Sequence, residues 1–256
     1  MSTPETDRAR ALAFLHETAV RAADRTEPFP GGVALLTAGF PGVWDANYVR
    51  LQEPWPGTAE KLHAALARAF DGLGLAHRMV VTHHGEDAQQ LAPGLRTLDY
   101  EEETLTVMAL GHEPSRTASA PVEDVHIRVV RAIRATAGLD RAPEGDEVVD
   151  QILRWGLQVH ERLHDRWLAA FDDGVPAACA RLISHGSVGQ VEDVTTLPSR
   201  RNRGLASSVV LGGIDRLHAE GVELVLIVVD RDSGPLTLYR DLGFDPLSTI
   251  TRFRRG

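Results

Sequence analysis

Residues 198–206, Pro-Ser-Arg-Arg-Asn-Arg-Gly-Leu-Ala, constrain the fold more than any other stretch. They close a strand-like run at 189–197 and lead straight into a helix whose apolar positions are Val210, Leu211, Ile214 and Leu217. A strand feeding a helix through a tight turn belongs to an α/β (α+β) architecture. The first-turn amides of such a helix have no internal acceptor and carry the positive end of its dipole, so a phosphate or pyrophosphate can be held by backbone donors. Gly204 lets the backbone approach that anion closely, and Ala206 is nearly as small. The dipole contributes only about 0.3–1 kcal/mol at an exposed site, so several amides must act together.

The chain has 256 residues, 43% hydrophobic and 25% charged, enough for a sizeable core in one large or two modest domains. A net charge of -9 argues against a nucleic-acid partner. Lys61 is the only lysine, so an anion site must use guanidinium forks or backbone amides. The lone cysteine, Cys179, sits among alanines and reads as a buried small residue rather than a nucleophile or metal ligand. Residues 1–8 have no signal-peptide pattern and the longest apolar run, 224–229, is too short to span a bilayer, so the expectation is a cytoplasmic protein with no membrane partner.

Periodicity predicts helices at 5–23, 58–70, 86–92 and from 146, where Val148, Ile152, Trp155, Val159 and Leu163 share a face. Strands are expected at 32–37, 43–51, 78–82, after Gly94, at 125–130, as a hairpin over 167–184, at 189–197 and at 222–229. Glu101-Glu102-Glu103 reads as a solvated turn. The stretch 111–121, Gly-His-Glu-Pro-Ser-Arg-Thr-Ala-Ser-Ala-Pro, neither packs nor holds a helix and predicts a boundary between units 1–118 and 119–256.

Arg201-Asn202-Arg203-Gly204-Leu205-Ala206 resembles the Gln/Arg-x-x-Gly-x-Gly/Ala loop of the GNAT superfamily of acyl-CoA-dependent N-acetyltransferases. One helix and one strand further on, residues 232–244 (Asp-Ser-Gly-Pro-Leu-Thr-Leu-Tyr-Arg-Asp-Leu-Gly-Phe) resemble that family's Asn-x-x-Ala-x-x-Leu-Tyr-x-x-x-Gly-Phe segment. The resemblance covers roughly 121–256. It implies acetyl-CoA as cosubstrate, no metal, and a small-molecule or peptide amine as acceptor attacking the thioester directly; a homodimer is compatible with it. It implies that Tyr239 is the general acid, a role suited to a phenol facing a departing thiolate. It also implies that Val194, Thr195 and Thr196 hold the pantetheine arm, that residues 201–206 hold the diphosphate, and that Asp232 borders the cofactor. The base is less determined. Glu192, Asp193 and His185 are the nearest titratable groups, the usual family glutamate falls near Gln190, and strand alternation turns Glu192 and Asp193 to opposite faces, so Glu192 is preferred. The alternative is an acyl-CoA sensor without turnover.

Competing motifs are weaker. His160-Glu161-Arg162-Leu163-His164 fits a zinc-protease pattern, but Arg162 and Asp165 are charged where such a helix is buried and no third ligand follows. His83-His84 lacks a partner at ligand spacing. Gly72-Leu73-Gly74 lacks the third glycine of a dinucleotide fingerprint, and no P-loop or nucleophile elbow is present.

The halves resemble one another at an offset of 149, which aligns Gly85 with Gly234 and Gly94 with Gly243. At that offset Gln90 stands opposite Tyr239, Gln52 opposite Arg201, and Trp55, within Glu53-Pro54-Trp55-Pro56, opposite Gly204. Glutamine is no acid and that loop is donor-poor. The expectation is tandem GNAT-like domains, each a mixed, mostly antiparallel sheet flanked by helices, with a degenerate first copy that does not bind CoA and instead shapes the acceptor site.

Overall fold

The computed structural model describes residues 3–137, 146–232 and 235–256. Helix α1 (Pro4–Ala22) starts where the Thr3 hydroxyl accepts from the Thr6 amide and Pro4 occupies a position needing no donor. The first half continues through β1 (Arg25–Phe29), β2 (Gly32–Leu36), β3 (Tyr48–Leu51), α2 (Ala59–Asp71), β4 (Arg78–Thr82), α3 (Gly85–Thr97) and β5 (Glu101–Leu110). The second contains β6 (Val122–Asp124), α4 (Ile127–Ala137), α5 (Asp146–Leu163), β7 (Arg166–Asp172), β8 (Val175–His185), β9 (Val188–Thr196), α6 (Leu205–Ala219), β10 (Leu224–Asp230), α7 (Leu236–Asp241) and β11 (Phe244–Arg255). From β1 to β5 and from β7 to β11 the order is the same, β-β-β-α-β-α-β.

All the described strands join one sheet in the order β1-β2-β3-β4-β11-β5-β10-β9-β8-β7-β6. The last strand of each half has crossed over: β11 pairs with β4, and β5 pairs with β10. Among the described strands only β3/β4 and β9/β10 are parallel pairs. Helices α2 and α3 bury one face of the first half through Leu62, Leu66, Phe70, Leu91 and Leu95, while α6 does so for the second through Leu205, Val209, Val210, Ile214 and Leu217. On the opposite face Ala11 and Phe14 of α1 pack across both halves on Met79, Leu105, Ile183, Leu226 and Ile250.

Four local expectations are corrected. Residues 125–130 do not form a strand: α4 begins at Ile127, and Val130 and Ile133, three apart, pack on Trp167 and Cys179. Too short a window had hidden the helical period. Glu101-Glu102-Glu103 is not a turn but the start of β5, where Glu101 and Glu103 lie opposite Arg254 and Arg252 and pair with them at 3.1 Å each. The strand expected at 43–51 is shortened because the buried Asn47 side chain accepts from the Thr37 amide and donates to the Phe40 carbonyl, which fixes a 3-10 turn at Trp44–Ala46. Helix α3 runs on through Pro93 to Thr97, so Gly94 is helical whereas Gly243 lies at φ 92 in a turn.

Candidate active site

Parallel pairing of β9 with β10 stops at Gln190 opposite Leu226. Beyond that point the strands separate, and their carboxyl ends lead into α6 and α7. Ligands of open α/β sheets enter at such a divergence. Four elements therefore meet there.

Between β9 and α6 the chain takes left-handed backbone at Asn202 (φ 61) and Gly204 (φ 77). Left-handed residues at such spacing are the backbone pattern that can turn successive amides toward one anion. Gly204 is the N-cap residue of α6 and no side chain caps the helix. Arg201, Asn202, Arg203 and Gly204 are exposed, while Leu205 is buried and anchors the first turn; Ala206 is half-buried. The Ser208 hydroxyl donates to the Gly204 carbonyl at 3.0 Å and accepts from the Ser119 and Ala120 amides, so the segment joining the halves is pinned beside the turn without covering it. A Cβ at Gly204 would stand 2.5 Å from the Ser119 hydroxyl.

The arginines divide their work. Arg200 and Arg203 both donate to Asp172 Oδ2, at 2.6 and 2.9 Å, and the Arg200 bond holds the Asp172 carboxyl below its usual range. That clamp ties the turn to the β7–β8 hairpin. Arg201 makes no ion pair among the described residues and remains available to an anion.

Glu192 lies in a β-bulge. Arg181 faces Glu192 and Cys179 faces Thr195, so Asp193 and Val194 are set against Ala180 alone, and Asp193 adopts φ 53. The bulge overturns the expected alternation: Glu192 and Asp193 both line the same cavity, of about 1110 Å3. Val194 then turns to the α6 side, while Thr195 and Thr196 continue the ladder with β8. Thr195 is buried and its hydroxyl donates to the Asp193 carbonyl at 3.2 Å.

Glu192 accepts from Gln190 Nε2 at 3.1 Å and pairs with Arg181 at 3.0 Å. Burial pushes its pKa up to about 7, against the pull of Arg181 and with the help of Asp193 and Asp165. Arg181 in turn contacts the fully buried Asp165 carboxylate, which also contacts His160 Nδ1. This explains the His-Glu-x-x-His run structurally: His160 completes a buried charge network and His164 ends the helix at φ 50. Among the described residues no group of histidine, cysteine and carboxylate side chains could hold a metal ion. His185, the third candidate base, stacks on Phe14 and bonds the cavity-lining Thr18 hydroxyl without itself lining the cavity.

Tyr239 of α7 packs edge-on to Phe244 on the α6 side of the sheet. Burial raises its phenol to about 12. It does not line the cavity that holds Glu192, so the two candidate catalytic groups approach the divergence of β9 and β10 from opposite faces. Asp232 is exposed, its amide donating to Asp230 Oδ1 at 2.9 Å. Ser233 and Gly234 of the downstream motif, and with Gly234 one pair of the repeat alignment, lie outside the described residues. Cys179 is buried and its thiol is pushed up to about 12. Sequence reasoning missed Asp172, Asp165 and Arg181, whose partners are remote in the chain.

Residues 130–244 match the family described as Acetyltransferase (GNAT) family. A GCN5-related N-acetyltransferase from Kribbella flavida shares the fold with TM-score 0.66 at 20% identity, over 96% of this chain and 95% of that one. A functionally unknown protein from Staphylococcus epidermidis superposes with TM-score 0.74 at 11% identity, over 91% and 94%. In sequence the chain is 33% identical over 70 residues to a mycothiol acetyltransferase of Saccharomonospora viridis, a stretch covering 27% of this chain and 23% of that relative. No described helix is long and apolar enough to cross a membrane.

Proposed function

We propose that the unit 119–256 transfers an acetyl group from acetyl-CoA to a primary amine by direct attack. The observation that carries this reading is the uncapped, exposed start of α6 beside diverging strands, with a carboxylate titrating near neutrality on the cavity side. The residues fit the cosubstrate: the amides from Gly204 onward and the Arg201 guanidinium are donors suited to a diphosphate, and the unpaired edge of β9 is suited to an amide-bearing arm. Acetyl-CoA supplies an activated thioester, which exchanges its C–S bond for a C–N bond and leaves as the thiol. Glu192 takes the amine proton. A carboxylate near pH 7 is matched to that task, whereas one near its ordinary value would be a poor acceptor. Tyr239, protonated throughout the working range, gives its proton to the departing sulfur and regains one from solvent. A bulge amide of β9 directed at the developing oxyanion would contribute roughly 2.7–4 kcal/mol.

We assign no CoA site to the unit 1–118. The start of α2 is side-chain capped, Thr58 accepting from the Lys61 amide, and the loop before it carries Pro54 and Pro56, which have no amide to offer. Its part is to wall the cavity, to which Tyr48, Met79, Val81 and Glu103 contribute. Release of free thiol with a panel of amines tests the assignment: turnover supports it, and tight acetyl-CoA binding without turnover on any amine establishes a sensor instead.

A further inference from the structure

The cavity runs along one face of the sheet from β9 to β3. Four of the six described arginines that line it are answered by carboxylates: Arg252 by Asp45 and Glu103, Arg254 by Glu101, Arg181 by Glu192 and Asp165, and Arg134 by Asp193, while Arg131 of α4 is only half-buried. Arg50 of β3 is different. It is 6% exposed, lines the cavity, and among the described residues has only the Tyr48 phenol as partner. Burial of a guanidinium without a counter-charge is unfavourable, and Arg50 is accordingly driven below its usual pKa. Its surroundings do not compensate: His83, pushed down to about 4 by burial and neighbouring cations, and His16 are neutral, and each has a buried ring nitrogen without a partner. The indole N–H groups of Trp155 and Trp167, on the cavity wall, are likewise buried and unpartnered.

At one end of the cavity the carboxylates Glu192 and Asp193 are paired with Arg181 and Arg134, and at the other Arg50 is a buried cation that lacks an anion. Strands β9 and β3 stand five spacings apart in the sheet, about 24 Å along it, which is roughly seven extended residues before side chains reach inward. We propose that the acceptor is an extended amine that also carries a carboxylate, a short peptide in chemical class, and that Arg50 binds the carboxylate while the amine lies at Glu192. This deepens the acetyl-transfer reading and rests on it. Arg50 is then a specificity residue supplied by the unit that does not bind CoA.

The test is calorimetric binding of heptaglycine with a free carboxyl terminus, and of its carboxamide, to the full chain saturated with CoA. The free acid should bind at least tenfold tighter than the amide; Arg50→Gln should reduce that preference below twofold, and Arg50→Lys should retain most of it. Thermal unfolding should show Arg50→Gln no less stable than the wild type, because a residue that only supports the fold would lower the midpoint. Equal binding of acid and amide to the wild type, a preference that survives Arg50→Gln, or no binding of either peptide overturns the proposal. The wild-type comparison decides even where Arg50→Gln fails to fold. Acetylation of a plain alkylamine, measured separately, reports on the enzymatic reading alone, so the two can fail independently.

Discussion

Replacing Glu192 by Gln removes the one carboxylate of the site that titrates near neutrality. With its pKa at about 7 the wild-type base is about 3% ionised at pH 5.5 and about 90% ionised at pH 8, so kcat/KM should rise about 30-fold between them. An ordinary carboxylate would give a change of only about 1.1-fold. The acceptor in this assay must be a weakly basic aromatic amine, since the small neutral fraction of an alkylamine rises about tenfold per pH unit over the same interval and adds a second slope. Glu192→Gln should abolish the limb and leave a flat, low rate. Stability responds with a defined sign: the folded pKa is raised, so the native state holds a proton that the unfolded chain has released between about pH 4.5 and 7. Wild-type stability should fall through that window by on the order of 2–3 kcal/mol, and the Gln variant should not follow it. A flat wild-type profile, or an unchanged limb in Glu192→Gln, refutes the assignment of the base.

Tyr239→Phe should lower kcat by roughly 10²–10⁴ while changing acetyl-CoA affinity less than threefold, checked by steady-state kinetics beside calorimetry. Arg201→Ala should weaken CoA binding and flatten its salt dependence without moving the unfolding midpoint, whereas Arg203→Ala, already committed to Asp172, should affect affinity much less; titrations at two ionic strengths compare them. Asp165→Ala leaves Arg181 with Glu192 as its only direct carboxylate partner in a buried setting, and chemical denaturation should show a loss of about 3–5 kcal/mol.

The second half was largely readable because its elements are local: the α6 stripe, the hairpin with Asp173 and Gly174 at positive φ, and the Gly204 turn each announce themselves within a dozen residues. What escaped is non-local. The strand exchange brings Arg252 and Arg254 beside the acidic run, and no window on Glu101–Glu103 contains those partners. The bulge at Asp193 inverts a face assignment made from perfect alternation, because one extra residue changes the parity of a strand. No local signal in the sequence singles out Arg50, and only the sheet's assembly buries it.

Titration of coenzyme A into the full chain and into Gly204→Glu tests the donor cup at α6 most directly. The wild type should bind one molecule per chain. The variant should lose that binding while staying folded, since a side chain at φ 77 carries a backbone strain of about 1–2 kcal/mol and the Ser119 hydroxyl, 2.5 Å from the new Cβ, must rotate aside. Absence of binding to the wild type, two sites per chain, or undiminished affinity in Gly204→Glu would contradict it.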